Sequence, residues 1–182
     1  MSLRWNCGYT LSEDDELLIS VAARQVVQLN EERGTVSKHW TGDTPIELDR
    51  QHAGGVVAFC RLVRVEPILV REEWANGKGK IHCYLPDGRS VAVKQTDLQR
   101  GQLLVDEDEP KVAALYVLMV GVSPSYAFRG WETSARIFVP ENLTWGYRSN
   151  GKRPSQRYHL RQCRFVHAGR PVGFLQRDLE WP

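Results

Sequence analysis

Between Asn142 and Arg177 the chain carries no carboxylate, yet it holds eight basic side chains. They are Arg148, Lys152, Arg153, Arg157, Arg161, Arg164, Arg170 and Arg177, and Trp145, Tyr147, Tyr158 and Phe165 are interleaved with them. Guanidinium and ammonium groups neutralise phosphates, and aromatic rings stack on bases, so the mixture suits nucleic-acid binding. Arginine and large aromatics are also the side chains that dominate protein–protein interfaces. The +2 net charge of the 182-residue chain hides the contrast. Residues 1–141 hold 16 Lys+Arg against 20 Asp+Glu, a balance of −4, and residues 142–182 hold 8 against 2, a balance of +6. A one-signed tail fits a polyanion or an acidic protein surface, or else it offsets acidic loops elsewhere in the same fold.

Asp87 and Lys94 are the other residues of chemical interest. Each also has a structural role available. Pro86-Asp87-Gly88 is a strong turn sequence, and Lys94 suits the edge of a strand, where it discourages pairing with other chains. Glu47, Asp49 and His52 lie one to two helical turns before Gly55 and add potential ligands. The four cysteines, Cys7, Cys60, Cys83 and Cys163, form no CxxC pair, which argues against a structural zinc site. Cys60 and Cys83 fall in apolar stretches and read as buried thiols. The chain contains no Gly-X-Ser-X-Gly elbow, no phosphate-binding Walker loop and no GxGxxG fingerprint.

The elements that position these residues change period along the chain. Ser12 with Asp15 forms a capping box, and Glu13–Glu16 place negative charge at the positive end of a helix dipole. Leu17, Leu18, Val21, Ala22, Gln25, Val26 and Leu29 then share a helical face, and Gly34 stops the helix. Thr44-Pro45 opens a second helix, Ile46 to Val63. Its Gly54-Gly55 step costs about 1 kcal/mol per glycine relative to alanine, so something must pack closely there. Beyond residue 80 the period becomes two. Ile81–Leu85 and Ser90–Thr96 are expected to form a hairpin around Pro86-Asp87-Gly88, with Val91 and Val93 on one face and Ala92 and Lys94 on the other. Leu103–Val105 is a short strand and Asp106–Glu109 an acidic loop. Ala113–Val120 is a buried central strand, and Tyr126–Arg129 is another strand before Gly130-Trp131. Two helices followed by a run of strands is an α+β arrangement, a mixed sheet with the N-terminal helices packed on it. No apolar run approaches the ~18 residues that cross a bilayer. The first residues lack the pattern of a signal peptide, so a cytoplasmic protein is expected.

The segment Leu85-Pro86-Asp87-Gly88-Arg89-Ser90-Val91-Ala92-Val93-Lys94, with the preceding helix His52–Leu62 and the strand order that follows, resembles the PD-(D/E)XK nuclease superfamily, in particular members from phages and mobile elements. The resemblance covers about residues 12–140. It implies a restriction-endonuclease-like core over residues 1–141, with residues 142–182 as a basic extension packed on the same domain. It assigns Asp87 to metal binding, with Mg²⁺ held by carboxylates, and Lys94 to positioning water and contacting phosphate. The sequence departs from the pattern at two acidic positions, occupied here by Val56 and Ala92. Gln95 and Asp97 are the nearest replacements on the strand.

The resulting expectation is a catalytically degenerate nuclease fold with no cofactor. It binds nucleic acid, DNA in preference to RNA, or a complex that handles nucleic acid. Arg148, Lys152, Arg153, Arg157, Arg161 and Arg164 carry the binding. An active Mg²⁺-dependent endonuclease with displaced ligands is the second reading. A structural or inhibitory subunit docking on an acidic protein is the third.

Overall fold

The computed structural model describes residues 8–34, 44–70, 80–99, 101–106, 109, 111–146 and 156–161. Helix α1 spans Glu13–Glu32 and is closed at its start by the expected box, in which the Asp15 amide donates to Ser12 Oγ and the Ser12 amide donates to Asp15 Oδ2, each at 3.2 Å. Helix α2 spans Pro45–Val63. Thr44 caps it, its own amide donating to Glu47 Oε2 at 2.9 Å, and Pro45 occupies the first turn, where a missing N–H costs nothing. Arg64 ends the helix in the left-handed region at φ 58°.

The helices meet an antiparallel-rich sheet. Strands β1 (Gly8–Thr10), β2 (Cys83–Tyr84), β3 (Ser90–Thr96), β5 (Leu115–Val122) and β6 (Ser125–Thr133) are arranged β1-β6-β5-β3-β2. Among the described residues of this sheet, only the β3–β5 pair is parallel. The hairpin expected around residues 81–96 is present, with Cys83 opposite Val91 and Tyr84 opposite Ser90. The alternation on β3 also holds. Val91 and Val93 join the core beneath α2 with Phe59, Val117 and Met119, and Ala92 joins a second core on the opposite face with Tyr116 and Leu118.

That second core has a source the sequence did not reveal. Strand β4 (Leu103–Asp106) leaves the main sheet, buries Leu103 and Val105 on the far face, and pairs with β8 (Gln156–Arg161), which pairs in turn with β7 (Leu143–Gly146). Part of the basic segment is therefore built into the fold as strands. The pairing of β4 with a strand some fifty residues later leaves no local trace, because register between distant strands depends on the burial pattern of both. A single helical turn, α3 (Ser134–Ile137), follows β6.

Helix α1 is rotated relative to its sequence reading. It buries Asp15, Ile19, Ala22 and Ala23. Leu17, Leu18 and Val21 face outward, with Leu17 67% exposed. The cause is polar. Asp15 accepts from Tyr9 Oη at 3.1 Å and from Arg61 Nε at 3.0 Å, so its face of the helix turns inward and carries the small residues against α2. An apolar count cannot foresee a carboxylate that sets helix rotation.

The glycine step in α2 is explained by packing on the sheet. A Cβ at Gly54 would overlap the Tyr126 hydroxyl, which donates to the Gln51 carbonyl at 3.1 Å, and a Cβ at Gly55 would stand 3.0 Å from Gln95 Cγ. Gly54→Ala is expected to destabilise the protein by about 1–2 kcal/mol, overpacking outweighing the better helix propensity. Urea unfolding measures this, and adding Tyr126→Phe should recover part of the loss.

Candidate functional site

Among the described residues the outer edge of β3 has no strand partner past Val91, because β2 begins only at Cys83. His82 takes over the ladder. Its amide donates to the Val91 carbonyl at 2.8 Å, and its Nδ1 accepts from the Val93 amide at 2.8 Å. Its carbonyl accepts from the Ile68 amide, so His82 also ties the segment after α2 to the sheet. The residue is 3% exposed.

His52 of α2 completes the arrangement. Its Nε2 lies 3.2 Å from His82 Nε2, with the rings edge-on at a 5.0 Å centroid separation. The tautomers follow from the partners. His82 Nδ1 accepts a backbone N–H and so carries no proton, which places the proton on His82 Nε2. That N–H donates to His52 Nε2, which must be unprotonated, and His52 carries its proton on Nδ1. The pair is a neutral one, and burial is the main reason. It pushes His52 down to about 3 and His82 well below the usual histidine value, and the positive charges of Lys80 and Lys94 add to both shifts.

Charged groups surround the pair. Lys80 precedes it, and Asp49 lies one turn before His52; both line, with His52 and His82, a cavity of about 20 Å³, room for about one water molecule. Burial holds the Lys80 ammonium below the usual lysine value. Asp49 pulls it back up, and Lys94 pushes it down. On the far face of β3 the Lys94 ammonium pairs with Glu109, and Tyr116 packs below, its ring centroid 6.0 Å from Lys94 Nζ. Burial and the nearby Glu109 carboxylate raise the Tyr116 phenol.

The sequence-derived residues divide here. Lys94 belongs to this edge, and so do Asp49 and His52. Asp87 does not. It sits in the hairpin turn, where its Oδ1 accepts from the Arg89 amide at 3.0 Å and its carboxylate pairs with the Arg89 guanidinium. Those hydrogen bonds from Arg89 hold the Asp87 carboxyl below its usual value. Four residues of extended strand, about 13 Å, separate the start of β3 from Lys94. Val56 and Ala92 are each 1% exposed, Val56 in the core beneath α2 and Ala92 in the core on the other face, beside Tyr116 across the parallel ladder. Gln95 faces α2 and donates to the Gly121 carbonyl at 2.7 Å. Arg157 and Arg161 lie on β8, in register with Trp145 and Leu103. Arg148, Lys152, Arg153 and Arg164 lie outside the described residues.

His82 is the residue that sequence reasoning missed. The only signal was a histidine inside an otherwise apolar strand-like run, Ile81–Leu85, and a buried histidine in such a run is ordinary. Cys60 and Cys83 are buried thiols, as read from their surroundings; contact between them, together with burial, raises Cys60.

The donors at this edge do not suit Mg²⁺, which takes carboxylate, carbonyl and water oxygens. The two carboxylates, Asp49 and Glu109, each face a lysine, and the remaining groups are imidazoles. The imidazole pair does not suit a softer metal either, since ligation by His82 Nε2 would require Nδ1 to carry the proton, against the Val93 N–H. Among the described residues no group of three or more His, Cys, Asp or Glu side chains stands together in a way that could hold a metal ion.

Fold and site together define an α+β protein with a curled mixed sheet, two helices packed on one face, and a neutral imidazole pair closing the open edge of its central parallel strands. No protein-family model matches the sequence, and no curated protein matches it. No helix among the described residues is long and apolar enough to cross a membrane.

Proposed function

We propose that this chain is a catalytically degenerate member of the PD-(D/E)XK nuclease type that binds nucleic acid, or a complex handling nucleic acid, without cutting it. The observation that carries the reading is the chemistry of the β3 edge. Where a phosphodiesterase of this type gathers carboxylates around Mg²⁺, this chain has apolar Val56 and Ala92, two lysines and a neutral histidine pair. That edge supports a core without a hydrolytic centre, and with Lys94 paired to Glu109 the phosphate contacts fall to the basic residues elsewhere in the chain. The basic residues from Arg148 to Arg164 supply the larger electrostatic contribution, with DNA the preferred partner.

Fluorescence anisotropy on duplex DNA at several salt concentrations tests this. Log affinity should fall linearly with log salt, by about 0.9 per phosphate neutralised. Replacing Arg153, Arg157 and Arg161 with alanine should flatten the slope by up to about three such phosphates. Lys94→Ala should leave it unchanged, since Lys94 is engaged with Glu109. Plasmid, single-stranded DNA and RNA should survive incubation with the protein in Mg²⁺ or Mn²⁺. Cleavage abolished by Asp87→Ala would overturn the reading in favour of an active endonuclease. Absence of salt-dependent binding would overturn it in favour of docking on an acidic protein.

A further inference from the structure

Strand β6 carries one residue more than its partner. Leu118 is opposite Gly130 and Met119 is opposite Phe128, so Arg129 is left over as a β-bulge. Bulges re-aim side chains, and they concentrate near functional sites. Phe128 and Trp131 both pack on the core beneath α2. Arg129 lines an open cavity of about 300 Å³ at the β1–β6–β5 end of the sheet.

The cavity is chemically one-sided. Its lining includes Tyr9, Thr10, Gln99, Gly121, Ser125 and Arg129, and it contains no carboxylate among the described residues. Within that same set the hydrogen bond of Arg129 is with Gln99, its Nη2 donating to Oε1 at 3.0 Å. Arg129 Nε is buried with no hydrogen-bond partner among the described residues. Because Gln99 Oε1 accepts from the arginine, the amide NH₂ of Gln99 is left as a donor. Thr10 Oγ1 and Ser125 Oγ lie 3.5 Å apart on the paired strands β1 and β6 and add two hydroxyls. The Tyr9 and Tyr126 hydroxyls are engaged elsewhere, with Asp15 and Gln51.

A guanidinium with an unsatisfied buried N–H, set beside an amide and hydroxyl donors, is the donor set that recognises a phosphoryl oxyanion, which a planar fork binds through two oxygens at once. The volume exceeds that of a bare phosphate and leaves room for one ester substituent. We propose that this cavity is a binding site for a phosphate group, with Arg129 as its principal contact and Gln99 as the residue that positions the guanidinium. The site is on the β1 side of the sheet, across β5 and β6 from the imidazole pair, and its assignment does not rest on the nucleic-acid reading above.

The test is a titration of the full ¹⁵N-labelled chain with inorganic phosphate at constant ionic strength, with acetate as the control anion. Saturable shifts at the Thr10, Gln99, Gly121 and Arg129 amides, absent with acetate, are the expected result. Arg129→Gln should weaken phosphate binding about 10- to 100-fold, the effect of removing one charge-assisted hydrogen-bonding group. Arg129→Lys should recover only part of it, because an ammonium lacks the fork. Gln99 is exposed, so Gln99→Leu keeps the proposal falsifiable if the arginine variants fail to fold, and it should weaken binding several-fold. Phosphate shifts that avoid these amides, or Gln99→Leu and Arg129→Gln proteins binding as the parent does, would overturn the proposal. A competing oligothymidylate distinguishes the source. Displacement of phosphate from these amides identifies a nucleic-acid backbone as the ligand, and retention of phosphate identifies a free phosphate or small phosphate ester. Duplex binding with no phosphate response would overturn this site and leave the proposed function standing.

Discussion

Acidification from about pH 7.5 to about pH 5 is expected to cost the protein about 2 kcal/mol of stability through His52 of the His52–His82 pair, with His82 adding to the loss in the same direction. Both histidines have folded pKa values below the ordinary 6.5, driven first by burial. A group of this kind is neutral in the folded chain but takes up a proton in the unfolded one. The unfolded state therefore binds more protons below pH 6.5, and stability falls as pH falls from there toward about 3, where His52 itself titrates. The slope approaches about 1.4 kcal/mol per pH unit for each histidine. The geometry also explains why the pair resists protonation. A proton on His52 Nε2 would face the Nε2–H of His82, and a proton on His82 Nδ1 would face the Val93 N–H. Against a total stability of about 5–15 kcal/mol, the effect is large enough to bring thermal unfolding down sharply in mild acid. Urea unfolding at the two pH values measures it. His82→Gln should lower stability at neutral pH, because the Val93 amide is deprived of its imidazole acceptor, and should make the acid slope shallower by about one histidine's share. A wild-type difference below about 1 kcal/mol would refute the neutral-pair assignment.

Asp15→Ala is expected to destabilise the protein by about 3 kcal/mol, combining a helix cap worth about 1 kcal/mol with charge-assisted bonds worth about 1.5–3 kcal/mol. The carboxylate is 4% exposed and receives hydrogen bonds from the Ser12 amide, Tyr9 and Arg61, so its removal strands three donors at the junction of β1, α1 and α2. Burial alone would raise its pKa, but the bonds from Ser12, Arg61 and Tyr9 lower it below the ordinary 3.8. Its stabilisation is therefore complete above about pH 4–5 and is lost as pH falls through the depressed folded value. That loss begins only below about pH 4–5, whereas the histidine loss is under way from about pH 6.5, so the interval above about pH 5 in a pH series reads the histidines alone. Asp15→Asn should lose the acid-dependent part while retaining more packing than alanine. Equal stability of the alanine variant and the parent would show that the carboxylate does not hold the junction.

The elements legible in the sequence are those set by neighbours along the chain. Ser12 with Asp15 and Thr44 with Pro45 start helices because a side-chain oxygen or a preset φ satisfies the first turn locally, and both helices begin there. Pro86-Asp87-Gly88 turns the chain by itself, and the alternation of Val91, Ala92, Val93 and Lys94 assigns each to a face of β3 through the two-residue period alone. The α+β class follows from that change of period. Tertiary structure decided everything that depends on pairing between distant segments. Strand β4 is four residues long and is meaningful only opposite β8. The rotation of α1 was decided by Asp15 reaching Arg61, 46 residues later. The candidate site shows the same division. Residue type marked Asp87 and Lys94, but the chain folds Asp87 into a turn with Arg89 and brings Lys94 near His52, His82 and Lys80 instead. Likewise no spacing rule identifies Arg129, because a β-bulge exists only where two strands of unequal count are forced into one ladder. Local preference acts over a few residues, whereas burial, register and charge pairing act through space, and the chemistry of this protein lies with the second group.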